Sequence, residues 1–108
     1  MEVIGLVENW RTLVEHVAAG YSDSLCVDDY FQDLATTRDR LEKVLAEVGR
    51  SMSEPALLES VLRSDLVFAA ATRPLLYTRL SGERWWHWRA PVLHGTEFEE
   101  ELTSNGLV

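Results

Sequence analysis

The chain has 108 residues, a formal net charge of -8, 46% hydrophobic residues and one cysteine. That is the size of a single domain with enough apolar content for a core, and it excludes wholesale disorder and a disulfide-stapled scaffold. The charge also argues against the whole domain binding duplex nucleic acid, whose phosphates repel an acidic protein. By segment, residues 1–35 carry a net -6, residues 36–72 a net -1, residues 73–94 a net +3 and residues 95–108 a net -4. A basic band rich in aromatic residues therefore lies within an acidic body.

In chain order, Val3, Val7, Trp10, Val14, Val17 and Tyr21 recur at steps of four and three, widened by Leu6 and Leu13, and predict an amphipathic helix over about 2–19. Gly5 is tolerated inside it at a small cost, and Gly20 is its stop. Asp28 or Asp29 caps a second helix over about 28–48, carrying Tyr30, Phe31, Leu34, Leu41, Val44, Leu45 and Val48. Its stripe lapses at Thr36-Thr37-Arg38, which allows either one helix or two pieces, and Gly49 closes it. Ser51 to Pro55 reads as a helix start, and Leu57, Leu58, Val61, Leu62, Leu66, Phe68 and Ala69 continue a third helix over about 54–71. Leu66 to Ala71 is wholly apolar, so the last turns of this helix are expected to be surrounded by core. Thr72-Arg73-Pro74 ends it.

Beyond Pro74 the pattern reads as a β-hairpin over about 75–90, with strands Leu75–Leu80 and Arg84–Ala90 turning at Ser81-Gly82-Glu83. Thr96 and Glu99 at capping-box spacing, with Phe98 and Leu102 one turn apart and Asn105-Gly106 as a stop, predict a short helix over about 97–103. The expected fold is α+β and mainly helical: a three-helix bundle packed with a β-hairpin in the C-terminal half and a short final helix.

The densest recognition chemistry is Arg84-Trp85-Trp86-His87-Trp88-Arg89, which holds three of the four tryptophans. Strand alternation puts Trp86 and Trp88 on one face and Trp85, His87 and Arg89 on the other. With the first pair packed inward, Arg84, Trp85, His87 and Arg89 become an exposed aromatic and basic stripe of the kind found at interface hot spots. Asp23, Asp28, Asp29 and Asp33 form a second candidate surface, able to meet a basic partner; capping and helix-dipole complementarity are the plainer account of them. They lack the twelve-residue calcium-loop pattern.

No catalytic, cofactor or metal motif stands out. His87, His94 and Glu97 lack any zinc-binding spacing, and Cys26 between Leu25 and Val27 reads as a small buried hydrophobe; His16 reads as a surface or boundary residue. Asp65 falls near the apolar face of the third helix and needs a cationic partner, with Arg38, Arg73 and Arg79 as candidates. The lone cysteine, the absence of a basic segment at Met1-Glu2-Val3-Ile4 and the absence of a long apolar run point to a cytoplasmic protein away from membranes. The expected function is a protein-binding module, foremost an inhibitor of immunity, antitoxin or nuclease-blocking type acting on a basic partner. Two alternatives are a homo-oligomer joined through the Trp-rich hairpin and a ligand binder or enzyme with a pocket at His87.

Overall fold

A computed structural model describes residues 2–21, 27–48, 55–78, 80 and 84–108. Helix α1 spans Glu2–Ala19, and Gly20 ends it at φ 111°, a left-handed conformation that glycine takes without a Cβ clash. Helix α2, Val27–Leu34, passes through a π-helical segment, Ala35–Asp39, into α3, Arg40–Val48. Helix α4 spans Pro55–Ala71, strand β1 Thr72–Pro74, a 3-10 turn Trp85–Trp88, strand β2 Arg89–Pro91 and helix α5 Thr96–Ser104. The expectations for Asp23, Cys26, Gly49, the Ser51–Glu54 start and the Ser81-Gly82-Glu83 turn lie outside the described residues.

The π segment falls where the apolar stripe lapses, and the two threonines supply a cause. Thr36 Oγ1 donates to Gln32 O at 3.0 Å and Thr37 Oγ1 to Asp33 O, so hydroxyls occupy carbonyls that the α-helical ladder would use. Such back-bonding competes with i→i−4 pairing, and the chain gains a residue in one turn before Arg40 N bonds Thr37 O.

Helices α1, the α2–α3 unit and α4 enclose a core centred on Trp10, Val14, Val17, Tyr30, Leu34, Leu41, Leu45 and Phe68, all essentially inaccessible. Phe98 and Leu102 of α5 close one end of it, with Tyr21, Tyr30 and Phe98 in edge-to-face contact at 5.5–5.9 Å. The architecture is mainly helical α+β, with a two-stranded antiparallel ribbon laid on the helices and a short final helix. Thr72 pairs with Pro91, Arg73 with Ala90 and Pro74 with Arg89. Bonds from Leu75 N to Trp88 O and from Val92 N to Ala71 O extend the ribbon at both ends.

Two expectations are corrected. The paired strands are three residues each: β1 precedes the predicted hairpin and β2 overlaps the predicted second strand only at Arg89 and Ala90, while the described residues of Leu75–Leu80 and Arg84–Trp88 are not strand. The apolar end of α4 is also not surrounded: Leu66 is 71% exposed, Val67 46%, and Ala70 is exposed as well. Phe68 supplies the buried side of that stretch. No described helix is long and apolar enough to cross a membrane.

Candidate functional site

The π segment delivers two consecutive side chains to the Trp-rich turn. Arg38, 3% exposed, donates from Nε and Nη2 to the two oxygens of Asp65 at 3.1 Å each and from Nη1 to Glu42 at 3.0 Å. Trp10 Nε1 donates to the same Asp65 carboxylate at 2.9 Å. The guanidinium lies 4.1 Å from the Trp86 ring centroid, close enough for a cation–π contact in a dry setting. Arg38 is thus the partner that Asp65 required, and the bidentate geometry meets the cost of burying both charges.

Asp39, the next residue, faces the 3-10 turn. Its Oδ1 accepts from Trp86 Nε1 and from His87 Nε2, both at 2.7 Å. A carboxylate oxygen accepts, which assigns the ring proton to Nε2. His87 Nδ1 is buried and has no protein partner among the described residues.

This arrangement overturns the division of the Trp-rich run by strand alternation. At three residues per turn, consecutive side chains diverge by about 120°, so the adjacent Trp86 and His87 both turn inward while Trp85 and Trp88 remain 43% and 39% exposed. His87 is therefore part of the interior. Arg89 is half-buried and caps the end of α4, donating to Thr72 Oγ1, Thr72 O and Ala69 O. Of the predicted stripe, Arg84 and Trp85 face solvent. Trp85 also rests edge-on against Phe68 at 5.9 Å.

The acidic candidates separate too. Asp28 is exposed, while Asp29 and Asp33 are half-buried, and Asp33 accepts from Tyr21 Oη at 2.7 Å. Helix α5 sits against the start of α2 through Glu101, which accepts from Val27 N at 3.3 Å. Glu97 and Glu100 of α5 are exposed, as is Asp28 in the first turn of α2. His94 bonds Glu99 at 3.1 Å and not Glu97, and Arg73 reaches the same carboxylate. Among the described residues no three metal-ligating side chains converge.

The least expected surface is the outer face of α4. At 100° per residue, Ala56, Glu59, Leu62, Arg63, Leu66, Val67 and Ala70 share one continuous arc, and all seven are exposed. Glu59 and Arg63 pair with each other, leaving the remainder of the arc apolar. Two shallow grooves border it. One of about 530 Å³ runs between Arg11, Val14 and Glu15 of α1 and α4, and another of about 390 Å³ is lined by Ala18, Val67, Ala70, Ala71, Val92 and Leu93. Val67 lines both, and neither is lined by His87.

No protein-family model, curated protein or solved structure matches the chain. Sequence reasoning missed Asp39 and the α4 arc. The signal for α4 was present, since a helix apolar on every side needs cover on every side.

Proposed function

We propose that the chain is a protein-binding module whose docking surface is the outer face of α4 together with Val92 and Leu93. The observation that carries this reading is a helix with apolar residues all round and one apolar face exposed. Leu62 and Leu66 are 62% and 71% exposed, with Val67, Val92 and Leu93 close by in exposure. Contiguous apolar surface of this kind marks interaction sites in folded proteins. A reducing, cytoplasmic setting belongs to the proposal, on the ground that Cys26 has no second cysteine in the chain to pair with.

Photo-crosslinking tests the reading. A benzophenone side chain replacing Leu66 gives a defined crosslinked product in extract of the native cells, whereas the same group replacing Lys43, exposed on α3, gives none. Equal or absent crosslinking at the two positions rejects the α4 face as a docking surface.

A second reading rests on the acidic side formed by Asp28, Glu97, Glu100 and Glu101, where α5 meets α2. That side favours a basic partner, such as the nucleic-acid-binding surface of a nuclease, and supports an inhibitory role by steering and occlusion. Neutralising Asp28 and Glu100 together slows association with such a partner at low salt. An unchanged rate removes this reading.

A further inference from the structure

We infer that the occupant of the α4 face is a second copy of this chain, packed so that the two α4 helices run antiparallel about a two-fold axis near Leu66. This rests on the docking reading above and adds the identity of the partner.

Charge is the first argument. A chain of net charge -8 repels its own copy, so a self-interface must lie where the local charge vanishes. The α4 arc meets that condition because its two charged residues, Glu59 and Arg63, neutralise each other. A basic partner drawn by the acidic body finds nothing to pair with on this face and is directed to the α2–α5 side.

Shape is the second argument. A two-fold at Leu66 sets that residue against itself and sets Leu62 of one copy against Ala70 of the other. Ala70 lines the 390 Å³ groove with Val67, Val92 and Leu93. The large side chain of each copy thus meets the small residue and the groove of the other, as complementary helix packing requires. The Glu59–Arg63 pairs fall on opposite sides of the axis, so neither residue is set against its own counterpart.

Area is the third. Leu62, Leu66, Val67, Val92 and Leu93 are 46–71% exposed. Together they leave on the order of 500 Å² of apolar surface, at the upper end of what a monomer carries in one patch. With Ala70 and the paired charges at the rim, this approaches the roughly 800 Å² that each side of a stable interface contributes.

Sedimentation equilibrium between about 1 μM and about 1 mM, the range in which an interface of this size dissociates, tests the inference. The wild-type mass rises from one chain to two. Leu66→Glu and Leu66→Lys each keep wild-type circular dichroism and lose at least tenfold in self-affinity. An equimolar mixture of the two recovers the dimer, because position 66 faces its own counterpart. Trp85→Ala leaves the dimer intact. A wild type monomeric throughout the range overturns the second copy, as does a mixture that stays monomeric while both variants are folded; a Leu66→Glu dimer or one lost on Trp85→Ala overturns the α4 face. The crosslink at position 66 separates this failure from that of the docking reading. A product of another mass rejects self-association and keeps the docking surface, whereas no product rejects both.

Discussion

One oxygen of Asp39 accepts from both Trp86 Nε1 and His87 Nε2, so Asp39→Ala strands two donors at the edge of the core. At about 1–3 kcal/mol for an unsatisfied buried group, the substitution costs roughly 2–4 kcal/mol, read from the urea midpoint at unchanged slope. Tryptophan emission shifts to the red as Trp86 gains water. Asp39→Asn keeps an accepting oxygen in place and costs less than half as much. Should both substitutions cost the same, charge and not the accepting geometry holds the turn. Tyr30 gives a second residue-scale outcome. Burial is the main cause that pushes its phenol well above the usual 10.0, with Tyr21 adding to the shift and Arg89 opposing it. The folded state therefore resists ionisation that the unfolded chain accepts, and stability is full below pH 10 and falls as the pH rises beyond it. Tyr30→Phe loses the bond to Arg89 O, about 1 kcal/mol at neutral pH, and lessens the alkaline decline of the urea midpoint. A variant with the wild-type alkaline limb would place the sensitivity elsewhere.

At the scale of elements, the π segment is the device that aims Arg38 and Asp39 in their working directions. Replacing both Thr36 and Thr37 by alanine removes the back-bonding hydroxyls and returns the segment to α-helical pairing with all five residues retained, which rotates the residues on one side of it by about 100° relative to those on the other. Far-UV circular dichroism stays helical, whereas near-UV signals from Trp10 and Trp86 collapse as the Arg38–Asp65 pair and the Asp39 bonds are misaligned. Intact near-UV signals would mean that the two hydroxyls do not hold the π turn. The same element marks how far the sequence could be read. Periodicity carried the helices because their apolar faces are local patterns, and the lapse at Thr36-Thr37-Arg38 was visible as a break. That the break becomes a π turn depends on hydroxyls bonding Gln32 and Asp33, which the apolar pattern does not encode. The Trp-rich run misled for a different reason. Aromatic density argued for a strand, but Trp86 and His87 answer to Asp39, 47 and 48 residues away, and a helical turn lets these two neighbours face inward together where strand alternation would separate them. The candidate surface on α4 was legible in composition and hidden by its interpretation: an uninterrupted apolar stretch says that cover is needed and does not say that the same chain provides it.

At the scale of the whole molecule, charge is divided between a buried pair and an acidic exterior, and salt acts on them differently. Arg38 and Asp65 are held bidentate with side chains 4% and 14% exposed, so mobile ions scarcely reach them. The exposed acids of α2 and α5 repel one another across solvent, and their repulsion is screened within a Debye length of about 8–10 Å at physiological salt. The exposed pairs of Arg11 and Arg63 weaken in the same range but contribute little each. Raising sodium chloride from low to physiological concentration therefore stabilises the fold, by on the order of 1 kcal/mol, a rise of several degrees in Tm for a domain of this length. A fall in Tm would mean that the surface pairs outweigh the repulsion. The two-fold contact at α4 responds in the same direction, since two acidic bodies approach through a neutral face whose apolar contribution salt does not weaken. Dimer dissociation consequently becomes harder as salt rises, the reverse of the response of a basic partner docked on the α2–α5 side, where salt screens attraction. Measured on one sample, the sign of the salt dependence distinguishes which of the two surfaces a given association uses.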